Sequence, residues 1–488
     1  MPYHLNMSSN LKRKAVSGMV WSSFQKFGTM GISFVSNIIL ARLLSPEDYG
    51  CIGMLMIFIL VANTFIDGGF GSALIQKKEP TQEDYSTIFY WNLFLSIVLY
   101  FALFWAAPLI ARFYNLPLLS SVLRVQGLVL ILNSLSIIQQ NRLRKQLLFK
   151  KLATVNIISA LLSLIITIYL AYLGWGVWSL VAQQLLMSGF NAVLYWIVGK
   201  WNPSIAFSRQ SFRELFGFGG FILLSNLINT FCNNVQGLLI GKFFSSEIMG
   251  LYAQARKLEE IASTSFSSVV DQVSYPVLST VQNDKQMMIS VLRKLIMSLA
   301  YICFPMMILL VLIGDSLITL LYSAKWIECV PYFRILCVAG IAICLQGVNY
   351  SAVAAIGKSR ELFKWTIIKR FVGLCLIILG FSFFEIEGLL WGMVMGSFVI
   401  YLINGYLVSK YVGYRLSKQF KDLLPIILLT IWSAFVVSFV DYIDIHWIFR
   451  MFLMIIIYLF VYLFTSYLCR MESFAAMRST LSLLIRKK

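Results

Sequence analysis

Four basic side chains lie within long apolar stretches of this sequence, where a charge needs a specific reason. They are Lys26, Arg124 and the adjacent pair Arg256 and Lys257. A charge at membrane depth costs about 2.5–3.5 kcal/mol on insertion scales unless water, an opposite charge or an anionic ligand compensates it. Because ammonium and guanidinium groups bind phosphate, these residues predict the cationic wall of a cavity that attracts a phosphate-bearing substrate.

Each of these cations also has a structural alternative. Lys26 and Arg124 can extend to a membrane interface or pair with a buried acid. Arg256 and Lys257 precede Glu260 by four and three residues, so either can be neutralised on its own helical face. The sequence leaves the cavity and the structural interpretation open for all four.

Amides and one carboxylate form a second polar pattern. Asn226, Asn229 and Asn233 recur at i, i+3 and i+7, which is one face of a helix. Such a face suits sugar hydroxyls, and it equally suits hydrogen bonds to a neighbouring helix. Asp67, which precedes a Gly-Gly-Phe-Gly run, is a candidate for binding a coupling cation, with a helix cap or an ion pair as the alternative.

The sequence lacks the residue patterns of metal binding, disulfide bonding, nucleotide hydrolysis and glycosyl transfer. The chain has 2 histidines and 8 cysteines without a CxxC pair, so neither a metal site nor a disulfide framework is expected. It contains no phosphate-binding loop for nucleotides and no carboxylate pair placed for glycosyl chemistry. We therefore expect no cofactor and no enzymatic activity.

The elements that position these residues are long apolar segments. Of the 488 residues, 59% are hydrophobic and 12% are charged, whereas soluble domains carry about 25% charged residues. Because a membrane helix needs about 20 apolar residues, the sequence predicts an all-α polytopic membrane protein with about fourteen transmembrane helices. The expected spans are 17–43, 49–75, 86–110, 117–140, 152–173, 177–198, 214–241, 248–272, 288–313, 331–355, 364–383, 387–409, 422–440 and 446–468.

The basic residues between these spans indicate the orientation. Thirty lysines and arginines fall on the side that holds the N-terminus and six fall on the other side. Since cytoplasmic loops carry the excess of basic residues, both termini are expected in the cytoplasm. The net charge of +19 then reflects topology and contact with anionic membrane lipids, and no nucleic-acid partner is expected.

A stretch near residue 40 returns 200 residues later. Residues 37–50 end in Ser45-Pro-Glu47-Asp-Tyr-Gly50, and residues 237–250 end in Ser245-Ser-Glu247-Ile-Met-Gly250. An offset of six spans predicts two parallel six-helix repeats, an arrangement typical of transporters. The expected division is an N-terminal cytoplasmic segment 1–14, an N-lobe 15–198, a linker 199–213, a C-lobe 214–411, two appended spans in 412–468 and a basic cytoplasmic tail 469–488.

Several motifs together resemble one family of transporters. They occur in order over about residues 10–415 and include the runs 34–50, Gly174-Trp-Gly-Val-Trp178, Met249-Gly-Leu-Tyr252-Ala-Gln-Ala-Arg256-Lys and Tyr275-Pro276. The chain resembles the Wzx-type polysaccharide flippases of the multidrug/oligosaccharidyl-lipid/polysaccharide exporter superfamily. Within them it is most similar to the branch associated with colanic and teichuronic acid.

The resemblance implies a V-shaped fold whose two lobes enclose a central cavity and alternate in access. It implies a bacterial inner-membrane protein that moves undecaprenyl-pyrophosphate-linked oligosaccharide outward for polysaccharides such as O-antigen, with a polysaccharide polymerase and assembly proteins as further partners. Lys26, Arg124 and Arg256 are the positions that would contact the pyrophosphate. The open alternatives are an ion-coupled drug or metabolite antiporter of the same fold, a membrane polymerase or glycosyltransferase, and a scaffold of an assembly complex.

Overall fold

The computed structural model describes residues 9–475, with side chains from residue 17 onward except at positions 19, 266, 269, 271, 272 and 359. The expected segments 1–14 and 469–488 thus fall partly outside the described residues. Every regular element in the described part is a helix, and 11 helices are long and apolar enough to cross a membrane. The predicted all-α, polytopic class is confirmed, and the count of fourteen spans stays a prediction.

Two compact units divide the chain after Gly250. The first unit contains nine complete helices in its described part, and a tenth begins at its end with Ser246. The nine are α1 (Ser9–Leu43), α2 (Pro46–Asp67), α3 (Phe70–Gln76), α4 (Gln82–Phe113), α5 (Leu118–Gln126), α6 (Leu128–Lys145), α7 (Phe149–Tyr172), α8 (Val177–Gly199) and α9 (Arg209–Phe243).

Local sequence signals fix the starts and breaks of these helices. Ser45 and Asp48 form a capping box at the start of α2, in which each side chain accepts the other's backbone N–H. Thr81 and Asp84 repeat the motif at the start of α4. Gly68 has a left-handed φ of 56° and separates α2 from α3, a conformation that favours glycine.

Packing in the first unit joins α9 to the helices that precede it. α7 lies between α1 and α8, and α6 packs on α4 and α8. α9 lies along α2, where the backbones of Gly69 and Gly219 approach closely and Thr64 hydrogen-bonds to Thr230 at 3.2 Å. α9 therefore belongs to the first compact unit, although it follows the segment 199–213 that we expect to link the lobes.

The first turns of α2 and of the tenth helix contact each other closely at two glycines, Gly50 and Gly250. A Cβ added to Gly50 would lie 3.0 Å from the Cα of Ser246 and closer still to its carbonyl oxygen. A Cβ added to Gly250 would lie 2.7 Å from the carbonyl carbon of Pro46. Gly50 contacts Ser246 and Gly250 contacts Pro46, so each contact becomes the other when 200 is added to one residue number and subtracted from the other. A two-fold relation between the two copies of the motif requires such a pair of contacts, which supports the predicted repeat.

The second unit contains the remaining helices. They are α10 (Ser246–Thr280), α11 (Lys285–Leu312), α12 (Gly314–Tyr322), α13 (Val330–Ala355), α14 (Ser359–Tyr411), α15 (Leu416–Ser438) and α16 (Trp447–Leu468), with short 3-10 turns at Ala324–Cys329 and Phe439–Tyr442. α13 is buried along most of its length between α11 and α14, and α15 packs on α11 and α16.

Helix α14 contains a reversal. Phe384 and Glu385 have non-helical backbone angles, and Glu385 has a positive φ of 49°. The backbone of Gly380 approaches that of Gly388 so closely that neither position has space for a Cβ. The expected spans 364–383 and 387–409 are thus the two arms of one helical hairpin.

Candidate functional site

Lys26 lies at the midpoint of the 35-residue helix α1 and is exposed. The hydroxyl of Thr29, one turn further on, donates to the carbonyl oxygens of Gln25 and Lys26 and so remains on the same face. Among the described residues, no carboxylate lies within ion-pair distance of the Lys26 Nζ atom. Its charge is therefore available to a ligand that reaches this face.

Helix α9 repeats this polar face with amides. It also has 35 residues, and Asn226 at its midpoint is exactly 200 residues after Lys26. Four pairs of residues correspond at this offset, and the two side chains of each pair are similarly exposed. From the first pair to the fourth, the side chains are exposed, half-buried, exposed and buried. The pairs are Lys26 with Asn226, Thr29 with Asn229, Ser33 with Asn233, and Ser36 with Gln236.

Each face ends at a buried polar side chain. Ser36 and Gln236 are both 3% exposed. Ser36 accepts a hydrogen bond from the Nε2 atom of Gln183 at 2.7 Å, and Gln236 donates to the carbonyl oxygen of Asn233 at 2.6 Å. Exposed amides and an exposed ammonium would be costly against lipid, so two such faces on apolar helices are typical of a water-filled path.

Arg256 and Lys257 lie on α10, in the part of that helix that belongs to the second unit. Arg256 is half-buried and donates from Nη1 to the hydroxyl oxygen of Tyr252 at 3.1 Å, whereas Lys257 is exposed. Glu259 is buried against Gly340, and Glu260 is exposed. α10 therefore presents a cation and a carboxylate on its accessible surface, so neither of the two interpretations of this cluster is excluded.

Arg124 has partners on the neighbouring helix α4. It is half-buried on α5, donates from Nε to the carbonyl oxygen of Phe104 at 3.3 Å, and lies with Cζ 4.5 Å from the centre of the Phe104 ring. The carbonyl oxygen accepts one of the five N–H groups of the guanidinium, and the aromatic face stabilises its charge. These contacts are those of a side chain that packs α5 on α4.

Asp67 is the last residue of α2 and is half-buried. Its carboxylate accepts a hydrogen bond from the backbone N–H of Gly69 and interacts electrostatically with Arg144. The hydrogen bond from Gly69 and the attraction to Arg144 both fit the structural alternative of a local backbone contact or a charge pair. The coupling-ion role stays a prediction.

Two basic residues that are counted with the cytoplasmic side, Lys369 near the start of the span 364–383 and Arg142 after the span 117–140, have specific environments. Lys369 is 6% exposed within α14 and donates to the Oδ1 atom of Asn404 at 2.8 Å. Arg142 is half-buried near the end of α6, beside the rings of Tyr85 and Trp201. A signal existed for Lys369, since it follows two apolar residues after Trp365-Thr366, but none existed for the aromatic partners of Arg142.

The profile of the polysaccharide biosynthesis protein family matches residues 39–331, more than half of the chain. The chain belongs to this family. It is 26% identical over 429 residues to the teichuronic acid biosynthesis protein TuaB of Bacillus subtilis, covering 86% of this chain and 88% of TuaB. It is 25% identical to the succinoglycan biosynthesis transport protein ExoT of Rhizobium meliloti, covering 74% of each.

A solved structure supports the fold assignment of this polysaccharide biosynthesis family member. The lipid II flippase MurJ in an inward closed conformation superposes with a TM-score of 0.76 at 15% identity, covering 93% of this chain and 99% of MurJ. The chain therefore shares the helical fold of MurJ over nearly its whole length. The family match includes Arg124, the three asparagines and Arg256 but begins after Lys26, so Lys26 rests on geometry alone.

Proposed function

We propose that this protein translocates undecaprenyl-pyrophosphate-linked oligosaccharide repeat units across the bacterial cytoplasmic membrane for surface polysaccharide synthesis. Membership of the polysaccharide biosynthesis family supports this, as do the multi-pass helical fold and a relative named as a succinoglycan transport protein. The protein acts as a transporter by alternating access and leaves the covalent chemistry to enzymes, so that a polymerase and assembly proteins use its product.

The matched polar faces of α1 and α9 carry the proposal. The proposed substrate has an anionic pyrophosphate and a neutral glycan, and the two faces offer one exposed ammonium, at Lys26, and exposed or half-buried amides, at Asn226, Asn229 and Asn233. An ammonium binds phosphate oxygens through charge-assisted hydrogen bonds. An amide both donates and accepts, as a sugar hydroxyl does. Lys26 therefore binds the pyrophosphate, and the asparagines bind the sugars.

The remaining candidates take different roles. In the second unit, Arg256 and Lys257 are the residues that bind phosphate, with Arg256 oriented by the Tyr252 hydroxyl. Arg124 stabilises the packing of α5 on α4 through Phe104 and acts on transport only indirectly. Asp67 stabilises the turn between α2 and α3 by accepting the backbone N–H of Gly69, and it is also the residue to test first for a coupling ion.

The charge distribution supports the proposed location. The excess of basic residues on one side of the spans is typical of cytoplasmic loops, which supports cytoplasmic termini in a bacterial cell. The pyrophosphate is therefore loaded from the inner leaflet, where the basic ends of the helices attract anionic headgroups.

The decisive experiment is performed on a strain that lacks this gene. Lipid-linked oligosaccharides are extracted and identified by mass spectrometry, and surface polysaccharide is measured in the same cells. We expect complete repeat units to accumulate on the carrier in the inner leaflet, with loss of surface glycan, and both effects to be reversed by the wild-type gene. Units trapped in the outer leaflet would indicate a polymerase, and normal pools with changed tolerance of cationic drugs would indicate an antiporter.

A further inference from the structure

A polar cavity lies at one end of the first unit, where α4 begins and α6 ends. It has a volume of about 360 Å³. Two cations, two amides, a tyrosine and a proline line it, and none of the lining residues is acidic: Pro80, Gln82, Tyr85, Arg142, Lys145 and Gln146. The cavity does not include any residue proposed above for transport.

Arg142 is the residue that makes this cavity an anion site. Its Cζ atom lies 5.7 Å from the centre of the Tyr85 ring and 5.5 Å from that of Trp201, so two aromatic rings hold the guanidinium in place. Within residues 17–475, no carboxylate or carbonyl oxygen accepts a hydrogen bond from it. A guanidinium carries five N–H donors, and a half-buried one that lacks a protein acceptor is prepared for an oxyanion.

The neighbouring cations are already held by the protein. Lys145 donates to the carbonyl oxygens of Leu74 and Ile75 at 3.0 Å each and to that of Lys77, so its charge is fixed at the edge of the cavity. Lys77 pairs with Asp84 and Glu214 at 3.1 Å. Partial burial lowers the pKa of Lys77, but these two carboxylates outweigh burial and raise it above its usual value. Lys77 is thus neutralised by its neighbours, whereas Arg142 and Lys145 leave the cavity positively charged.

The segment beside the cavity indicates where the anion comes from. Residues 201–208 are fixed along α4 because the N–H of Ser204 donates to Ser86 Oγ and that of Ser208 donates to Thr87 Oγ1, both at 3.0 Å. The segment presents Ile205, fully exposed at 101%, and Phe207, exposed at 56%. Two exposed apolar side chains next to a basic cavity at a helix end are typical of the membrane–water boundary, where lipid phosphates lie.

We propose that this cavity binds a phosphate group, supplied by the headgroup of an anionic phospholipid. Arg142 binds two phosphate oxygens through a planar fork of N–H groups, Lys145 adds charge, and Gln146 is placed to donate to a third oxygen. The acyl chains lie outside, against Ile205 and Phe207. The site does not depend on the proposed transport function, because it would anchor the first unit in the membrane with or without a transport substrate.

Lipid binding to the purified full-length protein tests the proposal by native mass spectrometry. The probes are dioleoylphosphatidylglycerol, dioleoylglycerol, which has the same chains without phosphate, and inorganic phosphate as a competitor. Arg142→Gln should weaken the tightest phosphatidylglycerol binding about tenfold, the expected loss of one charge-assisted bidentate contact. Arg144→Gln is the matched control, since Arg144 is exposed on the same helix and does not line the cavity; it should change binding less than twofold.

The outcomes separate the sources of the phosphate. Preference for phosphatidylglycerol over dioleoylglycerol, lost in Arg142→Gln and unaffected by millimolar phosphate, identifies a lipid site. Efficient competition by inorganic phosphate identifies the same site as one for soluble phosphate. Equal binding by the wild type and Arg142→Gln overturns the proposal. If Arg142→Gln does not fold, the wild-type protein is labelled with a photoreactive phosphatidylglycerol. Labelling within residues 77–86, 139–149 or 201–208 supports the lipid site, and labelling only outside these ranges overturns the proposal.

Discussion

Replacing Lys26 and Arg124 one at a time should separate a charge that binds substrate from a charge that holds the fold. Lys26 is exposed and has no carboxylate partner among the described residues, whereas Arg124 is half-buried against Phe104. Lys26→Gln and Arg124→Gln each remove one positive charge and keep a polar side chain, although glutamine is shorter than either residue. The two substitutions are therefore matched in chemistry and differ in environment.

The expected magnitudes follow from those environments. Lys26→Gln removes no protein contact of the ammonium, so the free energy of unfolding should change by no more than about 0.5 kcal/mol. A lost hydrogen bond between a charged donor and the pyrophosphate is worth about 1.5–3 kcal/mol, which is roughly a 10- to 150-fold loss in transport efficiency. Arg124→Gln loses a cation–π contact and a long hydrogen bond, about 1–2 kcal/mol of stability, with transport changed less than about threefold.

The assay is flipping of a fluorescent lipid-linked oligosaccharide in proteoliposomes, with thermal unfolding of the same preparations in detergent. Lys26→Arg should retain most of the transport rate, because the charge remains. The reasoning is refuted if Lys26→Gln transports as well as the wild type, or if Arg124→Gln loses transport while its unfolding temperature is unchanged.

Three further predictions use matched pairs. Gly50→Ala should lower the unfolding temperature, because the added Cβ forces the starts of α2 and α10 apart by about 1 Å at a cost of about 1–3 kcal/mol. Gly189→Ala is the control: a Cβ at Gly189 would have no neighbouring atom within 4 Å, so the unfolding temperature should stay unchanged or rise. Asn233→Ala should slow flipping by about 2- to 12-fold through loss of one neutral hydrogen bond to sugar, whereas Asn234→Ala, whose side chain donates to Thr230, should not slow it. A membrane-impermeant maleimide should label Cys469, the exposed cysteine after α16, in inverted vesicles and not in intact spheroplasts; the opposite result would place that end outside.

Much of the fold could be predicted because its signals are local or periodic. Long apolar runs gave the helices, and the Ser-Pro-Glu-Asp run gave the capping box that starts α2. The repeat at an offset of 200 residues pointed to two related halves, and the reciprocal contact of Gly50 and Gly250 supports it. The reversal at Glu385 lies in the short gap expected between the spans 364–383 and 387–409.

The environments of the charged residues could not be predicted, because their partners come from distant parts of the chain. Phe104 is 20 residues before Arg124, Asn404 is 35 residues after Lys369, and Trp201 is 59 residues after Arg142. The periodicity of a sequence predicts which face of a helix is polar, but it does not predict which residues of other helices pack against that face. The exposure of the Asn226, Asn229 and Asn233 face likewise needed the structure, since the sequence pattern equally fits an amide face buried against another helix.

The comparison of α1 with α9 gives the clearest physical reason for two repeats with different side chains. A two-fold scaffold presents equivalent positions with equal exposure, as Lys26 and Asn226 show. If both carried a cation, each would have to remain hydrated or bind an anion, and two sites would compete for one pyrophosphate. A cation on one helix and an amide on the other give the charged end of a lipid-linked glycan a single preferred face and leave the neutral sugars the other. The asymmetry of the side chains on a symmetric backbone thus matches the asymmetry of the proposed substrate.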